Sequence, residues 1–539
     1  MGVTTDQFQI EKVSTGGDGD GYSPDVIDVE AFFQRVITGY NEGWGPEELP
    51  ADLMTARSLV PAGTGAFRDF SYLAPEIPEF HKERCTACMS CVNACPDTAI
   101  LGKVVTPETL EEHLAGVEDE AERAYLRDQF AVTRKFYESR ERRGQTPGYF
   151  GIFIDPTKCK GCAECVEVCH DLGFDALSMI TKRDETVPIY QKAINFFRRL
   201  PPTPEEFISE RLPVDYMLSE EALSYVGGAG SCAGCGEATA LRMLMAATTY
   251  QYGRENMAIV AATGCNTVYG STYPYNPFLV PWINSLFENA PTTAMGIRAH
   301  WDQLGWQEKR LWVLGGDGAM YDIGFQALSR MVASGMDIKV FVMDTQVYSN
   351  TGGQASTASF PGQGAKMAAI GRTIKGKQEQ RKELGRIMMM HPNVFVAQTV
   401  TAIPNHFYRA VMEANTYPGP AVVIVYTPCQ PEHGIAADRS RYQAKLAVES
   451  RAFPVFIYDP RKGETMRERL DLKGNPAVKE DWYVVPKTGE RIDFITFARS
   501  EGRFARNFDA EGNPNEILLK AQEDRLQNWR LLQELAGLR

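Results

Sequence analysis

Residues 85–96 read "CTACMSCVNACP", four cysteines spaced C-x2-C-x2-C-x3-C and followed by a proline. Thiolates are soft ligands that suit iron–sulfur clusters, and loops this short bring three sulfurs to one face of a cube. Residues 159–170, "CKGCAECVEVCH", repeat the spacing, with His170 in the proline position. A doubled run of this kind is the ligand signature of a bacterial-type ferredoxin fold with two [4Fe-4S] clusters, in which each fourth cysteine crosses to the other cluster. One cluster then draws on Cys85, Cys88, Cys91 and Cys169, and the other on Cys159, Cys162, Cys165 and Cys95. His170 alters only the turn after Cys169. A pair of zinc sites is the rival reading, but two complete four-cysteine runs exceed what zinc requires.

Between the runs, residues from about 104 to 145 read as a charged helical insert in an α+β domain spanning 76–185. Thr106 is placed to cap a helix with Pro107 at its first position and Glu108 in its first turn. The basic stretch "RKFYESRERR" at 134–143 carries glutamates at helical spacing and reads as a solvated face.

The whole chain has 539 residues, room for about three to four domains. No apolar run approaches the ~20 residues of a membrane span, and the opening "MGVTTDQFQIEK" lacks a secretory apolar core. Asp6 also breaks the myristoylation pattern. The expectation is a soluble cytoplasmic protein with no membrane partner. A net charge of −13 argues against nucleic acid as a partner. Twelve cysteines without a secretory signal point to metal or redox chemistry rather than a disulfide framework.

The two runs leave four of those cysteines. Cys232 and Cys235 lie in "SCAGCGEATA" at 231–240, Cys265 in "AIVAATGCNTVYG", and Cys429 in "AVVIVYTPCQ". Alone, the C-x-x-C pair fits a redox disulfide, half a zinc site or part of a cluster. The last two follow strand-like runs, and strand ends on one edge of a parallel sheet bring their loops together. Four thiols are what a third four-iron cluster needs, with a four-cysteine zinc site as the rival.

Residues 311–324, "LWVLGGDGAMYDIG", give a strand, a glycine turn bearing Asp317, and the start of a helix. The next strand runs into "IKVFVMDTQVYSNTGGQ", completing a β-α-β unit with ligands at the carboxyl ends of its strands. Gly316 and Gly318 let backbone approach a diphosphate, and Asp317 offers Mg²⁺ a hard oxygen. Thr345 and the Val347 carbonyl supply two more, the pattern of a thiamine diphosphate site, although many such sites have Asn where Thr345 stands. A nucleotide site and a plain strand turn are the alternatives. The early "GGDGDG" at 16–21 has no preceding strand and reads as a flexible turn.

Taken in order, the ferredoxin runs, "CAGCGE", "ATGC", "GGDGAMYDIG", "DTQVYSNTGGQ" and "YTPC" resemble the carboxyl-terminal half of the pyruvate:ferredoxin oxidoreductase family, from about residue 65 to beyond 500. The resemblance implies that Cys232, Cys235, Cys265 and Cys429 hold a cluster next to thiamine diphosphate, and that Asp317, Thr345 and Val347 bind Mg²⁺. It also places Asn350 near the reacting carbon and Glu237 close to the cofactor. On residue type alone, Asn350 is equally a turn-former in "YSNTGG". The implied reaction converts pyruvate and coenzyme A to acetyl-CoA and CO2, reversibly, with ferredoxin or flavodoxin as electron carrier. "VPWINSLFENA" at 280–290 favours pyruvate; the alternatives are 2-oxoglutarate, a branched 2-oxo acid, or an electron-transfer subunit without catalysis.

The sequence-based fold expectation is α/β, a doubly wound parallel sheet binding thiamine diphosphate, joined to the α+β ferredoxin-like domain. The expected layout is a linker-like segment at 1–75, the ferredoxin-like domain, a connector at 186–225, the thiamine and third-cluster domain at 226–455, and an extension at 456–539. Pyrimidine-, substrate- and coenzyme A-binding parts are then expected on an obligate second subunit, in a dimer of heterodimers. Lys82, Arg84, Lys158 and Lys160 are expected to form a basic rim for the carrier.

Overall fold

The computed structural model describes residues 29–43, 54, 58–369, 371 and 375–539. The glycine-rich 16–21 turn lies outside them.

The ferredoxin-like region closes on itself through β1 (Glu76–Phe80), which pairs antiparallel with β5 (Leu177–Thr181) and brackets both cysteine runs. A second small sheet places β4 (Tyr149–Ile154) between β2 (Ile100–Val105) and β3 (Phe130–Ala131). Each cysteine run ends in a short helix, Ser90–Ala94 and Glu164–Asp171, and these helices pack together. The insert is helical at Pro107–Ala115 and Glu120–Asp128, and the Thr106 hydroxyl accepts the Thr109 amide at 3.2 Å. It also contributes β3.

The larger region is built on an eight-stranded sheet of order β13-β12-β10-β11-β9-β8-β6-β7. Its parallel part comprises β6 (Met257–Ala262), β7 (Trp282–Ser285), β8 (Arg310–Gly316), β9 (Lys339–Asp344), β10 (Phe395–Val400) and β11 (Ala421–Tyr426). β8, β9, β10 and β11 are apolar and buried almost throughout, as strands covered on both faces must be. From β6 the chain steps outward to β7, then returns past β6 to β8. This reversal opens a crevice between the carboxyl ends of β6 and β8, where such sheets bind ligands.

Two departures from the sequence-based layout stand out. The sheet is not wholly parallel: β12 (Phe456–Tyr458) and β13 (Leu470–Asp471) add antiparallel edge strands from the expected carboxyl-terminal extension. That extension also packs into the core, burying Trp529 of the long helix Glu516–Leu535 under Arg451. The described part of the 1–75 segment is likewise not a loose linker. Phe32, Val36 and Ile37 form a small core with Met54 and Tyr275, and the Thr64 hydroxyl donates to the Pro274 carbonyl at 2.8 Å. Composition masked the helical spacing of these apolar residues.

The helix Gly236–Tyr252, which starts just after Cys235, is buried through Thr249 and lies between the sheet and the ferredoxin-like region. A helix apolar on nearly every face is a core element. Its Thr239 hydroxyl reaches the Ala94 carbonyl across that boundary, while the Glu164 carboxylate accepts the Ser440 and Arg441 amides from the sheet side. Among the described residues no helix is long and apolar enough to cross a membrane.

Candidate functional site

The two cysteine runs share a backbone device. Ala87 and Met89 in the first have φ of 59° and 63°, and Gly161 and Ala163 in the second have 65° and 63°. Left-handed alanine and methionine cost about 1 kcal/mol or more each, and persist only where surrounding structure fixes them. The Ala87 amide donates to the Cys85 sulfur, and just beyond each run the amides of Ala99 and Ala176, which follow the left-handed Thr98 and Asp175, donate to the sulfurs of Cys95 and Cys169. Burial, then the neighbouring Cys88 and Cys169 thiols, push Cys85 up to about 12. Cys85, Cys88, Cys91 and Cys169 line one small cavity, while Cys162 and Cys165 both lie within charge influence of Cys95 and Cys159, Cys165 also within that of Cys91. The thiols therefore gather as two crossed groups, each taking its fourth member from the other run. Phe80, Phe150 and Ile152 complete the walls around Cys85, Cys88, Cys91 and Cys169.

The other four cysteines converge from separate elements. Cys232 and Cys235 precede the buried helix, Cys265 follows β6, and Cys429 follows β11, together lining a cavity of about 120 Å³. Burial raises the Cys265 thiol far above its ordinary value, helped by Glu237, Cys235, Cys429 and Cys232. Among the described residues no three His, Cys, Asp or Glu side chains are drawn in tightly enough to grip a single metal ion.

A second cavity of about 280 Å³ occupies the crevice between β6 and β8, lined by the loops after β6, β8 and β9. Glu237, Cys265, Thr345, Ser349 and Asn350 line both cavities, so the two share a wall. Deep in the larger one, the Thr345 Oγ1 lies 3.1 Å from Asp317 Oδ1 and 2.9 Å from the Val347 carbonyl. Oxygens about 2.1 Å from an octahedral Mg²⁺ sit about 3 Å from one another, so both of these spacings suit neighbouring ligands in its coordination shell. Burial, then the charge of Asp344, raise Asp317 to about 8, and Ser356 steadies its Oδ2 with a 2.5 Å hydrogen bond. A carboxylate this poorly solvated fits a cation beside it. Gly316 and Gly318 flank Asp317 on the cavity wall. At Gly318 a Cβ would meet the Tyr348 ring at 2.7 Å, so only glycine fits there. Glu237 is 5% exposed and its Oε2 has no hydrogen-bond partner among the described residues, leaving a buried polar atom beside the shared wall.

Sequence reading missed three side chains that tie the cavities together. His433 is fully buried; its Nε2 donates to the Thr345 carbonyl at 2.7 Å and its Nδ1 accepts the Cys429 amide at 3.3 Å. Both partners require a neutral ring with the proton on Nε2, and burial holds its pKa well below the usual value. Ser349 donates to Thr345 Oγ1 at 2.7 Å and also hydrogen-bonds Cys429. Ser356 carried no signal in "GGQASTAS". His433, four residues after Cys429, was visible only as a short spacing.

The expected basic rim does not form as read. Lys158 and Lys160 turn inward: Lys158 Nζ donates to the Ala66 carbonyl at 2.7 Å, and Lys160 pairs with the buried Asp97 at 2.7 Å. Lys82 is partly neutralised by Asp128.

Comparisons with known proteins agree with both halves of this geometry. Residues 262–425 match the family "Thiamine pyrophosphate enzyme, C-terminal TPP binding domain", and residues 78–101 match "4Fe-4S binding domain". A probable pyruvate-flavodoxin oxidoreductase of Escherichia coli is 30% identical over 84% of this chain and 42% of its own length. A pyruvate:ferredoxin oxidoreductase of Moorella thermoacetica is 28% identical over 85% of this chain and 43% of its own. The chain thus spans less than half the length of these relatives. A solved 2-oxoglutarate:ferredoxin oxidoreductase from Magnetococcus marinus covers 37% of this chain and 64% of its own, at 22% identity and a TM-score of 0.32, too slight a likeness to build on.

Proposed function

We propose that this chain, a relative of the pyruvate:ferredoxin and pyruvate-flavodoxin oxidoreductases, is the cofactor-carrying part of a 2-oxoacid:ferredoxin oxidoreductase that acts on pyruvate with coenzyme A. The observation that carries the reading is the shared wall: a four-cysteine cavity and a thiamine-domain cavity meet at Glu237, Cys265, Thr345, Ser349 and Asn350. Bound there, thiamine diphosphate supplies an electron sink for the carbanion left by decarboxylation, and an adjoining [4Fe-4S] cluster supplies a one-electron acceptor.

The residues have separate tasks. Asp317, Thr345 and the Val347 carbonyl hold Mg²⁺ against the diphosphate, and Gly316 and Gly318 leave room for that group. Asn350, on the wall of both cavities, would act near the reacting centre, while Cys232, Cys235, Cys265 and Cys429 would hold the third cluster. The two crossed groups, Cys85, Cys88, Cys91 and Cys169 and then Cys95, Cys159, Cys162 and Cys165, hold the clusters that lead electrons to ferredoxin or flavodoxin.

The site calls for a partner. Phe287 and Ile323 line the thiamine cavity yet stand 37% and 60% exposed, and β7 beside them is an edge strand with Ile283 exposed, followed directly by the exposed Leu286. An apolar rim around an open cofactor cavity suits a covering domain that excludes water. That cover is the portion of the relatives that this chain does not span, with its pyrimidine, substrate and coenzyme A contacts, in a dimer of heterodimers.

The test joins the anaerobically purified chain to that complementary portion, then measures CO2 release and low-potential dye reduction with pyruvate, 2-oxoglutarate and branched 2-oxo acids. Turnover highest with pyruvate, and none without the second portion, supports the reading. Comparable turnover by the chain alone, or no turnover with any 2-oxo acid, overturns it.

A further inference from the structure

Arg242 lies on the buried helix that begins after Cys235 and is itself 2% exposed. One guanidinium nitrogen, Nη1, donates to the carbonyls of Val92 and Cys95, the latter at 3.0 Å. The other, Nη2, is buried with no hydrogen-bond partner among the described residues. The one carboxylate among its charged neighbours, Asp97, is already held by Lys160 at 2.7 Å. Arg242 is thus a buried, permanently charged group without an anion of its own, an expensive arrangement unless a negative group sits alongside.

Other buried cations show what ordinary satisfaction looks like. Arg451 also leaves its Nη1 without a partner among the described residues, but it spreads its other donors, Nε and Nη2, over the carbonyls of Pro476, Ala477 and Asp481 and lies 4.3 Å over the Trp529 ring. Lys158 finds two carbonyls, those of Ala66 and Arg68. Arg242 places both of its bonds on one nitrogen, against the ferredoxin-like run that carries Cys95.

We infer that Arg242 is the counter-charge of the cluster ligated by Cys95, Cys159, Cys162 and Cys165, and that it raises the reduction potential of that cluster. The inference rests on the cluster assignment proposed above. Four thiolates and a cube of four irons carry net negative charge, which grows by one on reduction, and a fixed cation in a low-dielectric interior favours the more negative form. Because its helix starts at the third cysteine cavity, Arg242 sits between the two sites and biases electrons toward the ferredoxin-like side. It is a positioning residue for charge and touches no substrate.

The test is a redox titration of the full chain, purified anaerobically with its clusters and followed by electron paramagnetic resonance, for Arg242→Gln and Arg242→Lys beside the unaltered chain. Iron content and the unaltered spectrum test the cluster assignment itself. If those clusters are absent, that reading fails before this one is reached. Arg242→Gln keeps donors for the two carbonyls and removes the charge. The reduction equilibrium of the affected cluster should shift at least about tenfold, a fall of about 59 mV for one electron. Arg242→Lys keeps the charge and should stay within about threefold of the unaltered chain. A potential unchanged in Arg242→Gln, or an equal fall in Arg242→Lys, overturns the inference. Should Arg242→Gln fail to assemble its clusters, a fall in the Lys variant alone still refutes it, and an unshifted Lys variant with full iron supports it.

Discussion

Eight cysteines reach their sites through two runs of twelve residues, whereas the other four are collected from residue 232 to residue 429. In the ferredoxin-like region, left-handed residues at fixed places within each run shape the pocket locally. In the sheet region no single segment shapes anything: Cys265 and Cys429 are close only because β6 and β11 end on the same edge of one sheet. The first kind of site should tolerate changes elsewhere. The second should fail when the sheet's loops are disturbed, and should take the thiamine cavity with it, since the two share a wall.

Removing the carboxylate proposed as a Mg²⁺ ligand gives the largest expected separation. Asp317→Ala should lower thiamine diphosphate retention and turnover by at least about a thousandfold, because a charged ligand is lost from the octahedral face. The signals of the ferredoxin-type clusters should persist unchanged. Cofactor content and low-temperature spectra of one preparation decide it, and loss of all signals together would break the contrast between the regions.

That contrast also explains what the sequence made legible. Spacing alone foretold the crossed grouping of the thiols, because a loop of two residues between cysteines has few ways to present its sulfurs. The placement of Asp317, Thr345 and Val347 together at strand ends was readable because each follows a strand-like run, which fixes it at a sheet edge. Lys158 and Lys160 were misjudged, since a lysine between cysteines looks solvated until Asp97 and the Ala66 carbonyl are seen to receive the two ammonium groups. Ser356 and His433 were invisible for the same reason: hydrogen bonds across 39 and 88 residues leave no local pattern. The antiparallel β12 and β13 were hidden by their brevity, three and two residues.

His433 gives a sharper, smaller test. His433→Ala leaves the Thr345 carbonyl and the Cys429 amide without a buried partner, at a cost of about 2–4 kcal/mol. Mg²⁺-dependent thiamine binding and retention of the third cluster should weaken together. If isothermal titration shows cofactor affinity untouched while that cluster is lost, the shared wall is not a mechanical unit.

The smallest effect concerns pH and the sheet region alone. Burial, assisted by the Arg409 charge, lowers His406 to about 4. Between that value and the ordinary ~6.5, the unfolded chain binds more protons than the folded one, so stability present above pH 6.5 is lost as pH falls. From pH 6.5 to 5.5 His406 should account for about 1 kcal/mol of the loss, read from denaturant midpoints. His406→Gln should lessen the slope by that amount; an unchanged slope would assign it to other groups, the buried His433 among them.

The most direct measurement is the iron and zinc content of the anaerobically purified chain, alongside Cys265→Ala. Three four-iron clusters predict about twelve irons per chain and negligible zinc, falling to about eight irons in the variant with the ferredoxin-type signals retained. About eight irons with one zinc in an unaltered, fully active preparation would contradict the account.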